Sequence, residues 1–191
     1  MNASLLAAGI ARQWDAEIVP ALTDYIRVPA KSPHFDPGWE AHGHIERVVR
    51  DAEAWVRRQP VRGLAVEIVR LPGRTPVLFF VVPATGPDAG GRTVLVYGHL
   101  DKQPEMTGWR EHLGPWTPVL EGDRLYGRGG ADDGYAAFAS LLAVEAAQAA
   151  GLAHNKVVML IEGSEESGSP DLPIYLEALR DNSPPGVSWH Y

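Results

Sequence analysis

Cysteine is absent from the 191 residues. Disulfides and thiolate metal sites are therefore excluded, and any metal must be held by histidine and carboxylate. An excess of positive charge is missing too: 17 Lys and Arg face 24 Asp and Glu, for a net charge of −7. With no basic patch visible, nucleic acid is not an expected partner, because phosphate binding needs clustered cations. No run approaches the ~20 apolar residues of a membrane span. The first residues, MNASLLAAGIARQWDAE, carry an apolar patch without a basic segment before it and read poorly as a signal peptide. A cytoplasmic protein is expected. What is present is 45% hydrophobic and 21% charged, the composition of a globular chain long enough for one domain with a sizeable core.

Ser4 to Tyr25 reads as helix, with Leu5, Ile10, Trp14, Ile18 and Leu22 in a drifting apolar stripe and Pro20 expected to kink or restart it. VPAKSP (Val28 to Pro33) ends it in an extended loop. Trp39 to Gln59 predicts a second, amphipathic helix. Strands follow at Ala65 to Leu71, Pro76 to Val82 and Thr93 to Tyr97, and a short hairpin surrounds Glu121-Gly122-Asp123. Ala136 onward is an Ala-rich helix closed by Gly151, Lys156 to Glu162 a buried strand, and Leu172 to Leu179 the start of a helix. Asn182 to Gly186 reads as a turn or linker, and Val187 to Tyr191 completes no element. Strands alternating with helices predict an α/β fold of three layers, α/β/α.

Three stretches carry chemistry. TVLVYGHLD (Thr93 to Asp101) runs an apolar strand into His99 and Asp101, and the run predicts a central strand of a parallel sheet, buried on both faces. The carboxyl edge of such a sheet is where ligands bind. Asp101, two residues on, can reach the imidazole of His99, set its tautomer and free the other nitrogen for a metal. LYGRGGADDG (Leu125 to Gly134) uses glycines for a sharp turn that presents Asp132 and Asp133 at a helix start. A phosphate loop is rejected there, because two carboxylates repel phosphate and no GK[ST] follows. EGSEESGS (Glu162 to Ser169) places Glu165 and Glu166 at another strand end. His34, His42 and His44 share no periodicity with these motifs and read as surface or capping histidines.

One histidine and several carboxylates gathered without basic partners call for divalent cations, since clustered carboxylates otherwise raise one another's pKa. Mixed nitrogen and oxygen ligands suit Zn²⁺, Mn²⁺ or Co²⁺. Two ions bridged by one Asp would polarise a carbonyl and generate hydroxide near neutral pH, with an unligated Glu as general base.

YGHLDKQPE (Tyr97 to Glu105) followed by Gly108-Trp109, DRLYGRGGADD (Asp123 to Asp133) and EGSEESGSPDL (Glu162 to Leu172) together resemble the M20 family of di-zinc metallopeptidases, in its dipeptidase, carnosinase-like branch. The resemblance implies that His99, Asp132 and Glu166 are metal ligands. Asp132 would bridge the two ions and join Asp133 through a cis peptide. Asp101 would orient His99, and Glu165 would be the general base. It implies hydrolysis of the amide bond of a dipeptide or small N-acyl amino acid, with two divalent ions, Zn²⁺ first among them, as cofactor. Where the family has Lys and then a small residue after the Asp pair, this chain has Gly134 and Tyr135. Family members are about twice this length or more, with a lid domain through which they dimerise, a further acidic ligand and a C-terminal histidine ligand. His190 does not match that last motif. Residues 1–191 are therefore read as the N-terminal portion of a catalytic domain, short of ligands and inactive alone. A non-catalytic fragment or pseudoenzyme serving as an interaction module, and an M20-type deacylase, are the alternatives.

Overall fold

The computed structural model describes residues 3–86 and 91–182. Four helical segments come first: α1 (Ala3–Gln13), α2 (Val19–Ile26), α3 (Trp39–His42) and α4 (His44–Arg58). Between α1 and α2 the chain makes a π-helical turn, Trp14–Ile18, and Pro20 sits in the first turn of α2, where its missing N–H costs nothing. The expected restart at Pro20 is thus present. The single helix expected over Trp39 to Gln59 is instead two. Gly43 adopts φ +68, a left-handed conformation that ends α3 and starts α4.

The strands are β1 (Ala65–Val69), β2 (Val77–Val82), β3 (Thr93–His99), β4 (Val119–Glu121), β5 (Arg124–Tyr126) and β6 (Lys156–Glu162). β4 and β5 form the expected hairpin. The others make one sheet in the order β1-β2-β6-β3. Among the described residues only β3 and β6 run parallel; β1 with β2 and β2 with β6 are antiparallel. The sheet is therefore mixed, and β3 is not central. Among the described residues it has a neighbour on one side only, so Val94, Leu95 and Tyr97 are 46%, 51% and 43% exposed. Their apolar character is what a covered strand needs, and here no covering strand is seen.

Three layers are observed. Leu78, Phe80 and Val82 of β2 and Val157, Met159 and Ile161 of β6 face one cluster with α2, α4 and α5 (Ala136–Ala149). The alternate residues Val77, Phe79, Val81, Val158 and Leu160 pack on Tyr175 and Leu179 of α6 (Leu172–Asn182). A strand alternates faces with period two, so a continuous apolar run serves both layers. α5 ends as expected at Gly151, φ +67. Residues 183–191, including His190 and the expected turn, lie outside the described residues. No helix among the described residues is long and apolar enough to cross a membrane.

One glycine fixes how α5 enters the core. A Cβ on Gly134 would stand 2.2 Å from Cε1 of Tyr25. That ring is buried, and its hydroxyl donates to the Leu100 carbonyl at 3.1 Å, so it has no room to retreat. Gly134→Ala is expected to cost about 3 kcal/mol by overpacking. Urea denaturation checks this against Gly91→Ala, where a Cβ meets nothing among the described residues within 4 Å and no loss is expected.

Candidate active site

His99 closes β3 and lies in register with Glu162 at the end of β6, so the parallel pair delivers both to one edge of the sheet. The imidazole is buried. Its Nδ1 is 3.0 Å from the backbone carbonyl of Asp101 and 3.5 Å from that residue's carboxylate. The nearer partner is thus the carbonyl, not the side chain that the spacing suggested. In the neutral ring, donation from Nδ1–H to that carbonyl leaves the Nε2 lone pair free. Nε2 faces Asp132 Oδ1 at 3.5 Å and Glu165 Oε2 at 3.6 Å. Burial by itself lowers the imidazole pKa, but the Asp101 side chain and carbonyl and then Glu165 outweigh it, and the pKa is carried up to about 9.

Asp101 is fully buried and spends its carboxylate elsewhere. Oδ1 accepts the Glu165 N–H at 3.1 Å and Oδ2 the Glu166 N–H at 3.0 Å. One residue therefore holds the histidine through its carbonyl and the two glutamates through its carboxylate. Glu165 and Glu166 sit not on the strand but in a single 3₁₀ turn, Glu165–Ser167, just past β6. That turn is fastened on its far side, where Ser167 Oγ meets Ser32 Oγ and accepts the His34 N–H at 2.9 Å.

Asp132 and Asp133 lie in an irregular turn, Gly130–Gly134, with a cis peptide between them, as the resemblance implies. Asp132 is exposed. Asp133 is half-buried, with Oδ2 3.4 Å from the His99 backbone N–H, and burial raises its pKa. Of the residues singled out as ligands, His99, Asp132 and Glu166 each offer one atom, all within 4.8 Å of one another. Their fit to a cation has a further sign. Glu166 Oε2 accepts from Gln103 Nε2, but its Oε1 is buried without a hydrogen-bond partner among the described residues. A carboxylate with an orphaned oxygen, clustered with an imidazole and a second carboxylate, suits a divalent ion of intermediate hardness.

Gln103, Glu162 and Lys102 were not given roles by the motifs. Glu162 is visible in the sequence as the last residue of the apolar run KVVMLIE and the first acid of EGSEESGS, but its pairing with His99 is seen only in the structure. Of the peripheral histidines, His34 is exposed. His42 pairs through Nδ1 with Asp36 at 2.8 Å.

The chain has relatives. The profile of Peptidase family M20/M25/M40 matches residues 95–186. The Beta-Ala-His dipeptidase of Homo sapiens is 34% identical over 179 residues, covering 91% of this chain and 35% of that protein. A Cys-Gly metallodipeptidase of Candida albicans is 42% identical over 96 residues, 44% of this chain and 18% of that protein. Among solved structures, human carnosine dipeptidase 1 superposes with a TM-score of 0.67 at 25% identity, over 97% of this chain and 40% of that one. The chain thus spans well under half the length of these relatives. Within that span, the three motifs, the mixed sheet of the three-layer fold and the clustered histidine and acids all point one way: the chain belongs to peptidase family M20/M25/M40.

Proposed function

We propose that residues 1–191 are the N-terminal part of an M20 catalytic domain and that their site hydrolyses the amide bond of a dipeptide or small N-acyl amino acid. The observation that carries this reading is the convergence of His99, Asp132 and Glu166 from three separate segments within 4.8 Å, beside Glu165. Two divalent ions, Zn²⁺ first and Mn²⁺ or Co²⁺ by the same ligand chemistry, are the proposed cofactor, and these three residues would hold them. When bound, such an ion polarises a carbonyl oxygen and acidifies a water.

The chain's own groups do the rest. Glu165, partly exposed and 3.6 Å from His99 Nε2, is placed to take a proton from an attacking water and return it to the leaving amine. Asp101 positions both partners at once, since its carbonyl orients His99 and its carboxylate holds the Glu165 amide. Gln103 fixes one oxygen of Glu166 and leaves the other available.

By the family's pattern this chain supplies three of five protein ligands, so the isolated polypeptide is expected to bind zinc weakly and to turn over little or nothing. The test is zinc content after dialysis, together with hydrolysis of β-alanyl-histidine, cysteinyl-glycine and an N-succinyl amino acid. Zinc uptake that depends on His99, with no cleavage, is the expected result. Enzyme-like turnover would refute the incompleteness, and a preference for the succinyl substrate would favour the deacylase reading. Zinc uptake indifferent to His99 would refute the site.

A further inference from the structure

The turn that carries Glu165 and Glu166 has a second buried carboxylate beneath it, one that the proposed chemistry does not use. Glu162, 1% exposed, ends β6. Its Oε2 accepts the Ser164 hydroxyl at 3.1 Å, just before the turn, and its Oε1 accepts the Ser169 hydroxyl at 2.7 Å, just after it. Oε1 also accepts the Tyr97 hydroxyl from β3. A buried carboxylate needs such partners, and this one has three hydroxyls and, among the described residues, no cation. Both ends of the turn are thereby joined to one atom group on the rigid β6–β3 pair.

The turn needs such fastening. Ser164 lies at φ −145, ψ 20, Gly168 at φ +86 and Ser169 at φ +52, so the chain doubles back sharply within six residues. Its internal bonds are few: Ser167 N–H and Ser169 N–H to the Ser164 carbonyl at 3.2 and 3.0 Å, and Gly168 N–H to the Glu165 carbonyl at 2.7 Å. Asp101 grips its leading amides, and Glu162 grips its two flanks.

We propose that Glu162 is a positioning residue for the proposed site: through Ser164, Ser169 and Tyr97 it clamps the Glu165–Ser167 turn to the ends of β6 and β3, and so sets the placement of both glutamates. This rests on the metallopeptidase reading for its consequence, but not for its first readout, which is made without metal.

The experiment is hydrogen exchange by NMR on the metal-free chain, comparing the parent with Glu162→Gln and with Ser164→Ala/Ser169→Ala. Glutamine keeps the shape but puts an NH2 in place of one carboxylate oxygen, so the hydroxyl on that side must turn round to accept, and the charge that strengthens all three bonds is lost. Exchange of the Glu165, Glu166, Ser167 and Ser169 amides is expected to quicken about tenfold or more in each variant, the scale of about 1 kcal/mol per hydrogen bond lost or weakened, while β6 amides stay protected. Unchanged protection of the turn in a folded variant overturns the proposal, as does uniform loosening of β6 in both variants, which would make Glu162 merely structural. Should Glu162→Gln fail to fold, the serine pair, which leaves the carboxylate in place, decides the question by the same readout.

A zinc titration then reads the consequence. Tenfold or greater weakening by Glu162→Gln is expected, on the scale of lost outer partners of metal ligands. If the turn loosens but zinc affinity does not change, although His99→Ala abolishes binding, the clamp does not serve the site and the proposal is overturned. If the parent shows no His99-dependent binding at all, it is the metallopeptidase reading that fails, while the exchange data still decide whether the clamp exists.

Discussion

His99→Ala is expected to weaken zinc binding by roughly a hundredfold or more, whereas Glu165→Ala leaves it nearly unchanged. The contrast follows from the geometry. His99 supplies the only nitrogen of the three-atom cluster, and its tautomer is set in advance by the Asp101 carbonyl. Without it, Asp132 and Glu166 remain as two oxygen donors, a poor zinc site at neutral pH. Glu165 lies beside the cluster but outside it. Calorimetric titration of both variants against the parent measures the contrast. Equal losses would mean that Glu165 is a ligand and that the general base lies elsewhere.

Lys102→Ala is expected to cost about 3–5 kcal/mol, and Lys102→Met only about 1–2. The side chain is fully buried. Its ammonium donates to the carbonyls of Tyr25 and Val28, both at 2.7 Å, and lies 3.8 Å from the Tyr25 ring centroid. Alanine would remove this clasp between β3 and the end of α2 and leave a void beneath Gly129, whose backbone the lysine methylenes touch. Methionine fills the void. The two carbonyls it abandons keep other donors, Val28 N–H at 3.1 Å and Ala30 N–H at 2.8 Å. Urea denaturation distinguishes the pair; equal costs would show that packing is not the main contribution.

The same residue gives stability a pH slope. Burial pushes the Lys102 ammonium down to about 7, from near 10.5 in the unfolded chain. Between those values the unfolded state holds a proton that the folded state lacks, so this contribution makes the protein more stable as pH rises from about 7 to 10.5. His99 acts oppositely. Its folded pKa, about 9, lies above the ordinary 6.5, so its contribution is complete below 6.5 and is lost as pH rises through 9. Subtracting the Lys102→Met curve from the parent's removes the histidine contribution, and the difference is expected to grow with pH over the alkaline window. A flat difference would contradict the lowered pKa.

Lys102 also marks the limit of what the sequence makes legible. Nothing local separates a lysine after His-x-Asp from a surface lysine; its burial depends on carbonyls 74 to 77 residues earlier in the chain. By contrast, β6, α5 and the β4–β5 hairpin were legible because apolar runs, alanine content and turn residues act within a few positions. The three layers followed from alternation of strands and helices. The mixed direction of the sheet did not, since PVLFFVV has the same pattern whether its neighbours run parallel or antiparallel. Nor did the edge position of β3, because apolar side chains do not report whether another strand lies beside them. Gly43 broke a helix whose periodicity ran straight through it, by taking a left-handed conformation that composition alone leaves open. At the site, the residue types were readable from the three motifs, whereas the sharing of Asp101 between carbonyl and carboxylate, and the serine clamp on Glu162, depend on backbone positions that motifs do not encode.

X-ray absorption at the zinc edge, on the zinc-loaded chain beside His99→Ala, tests the central claim most directly. The expected spectrum shows imidazole scattering from one histidine among oxygen ligands at about 2.0–2.1 Å, lost in the variant. A shell without imidazole, or one identical in both proteins, would mean that His99, Asp132 and Glu166 do not form a metal site.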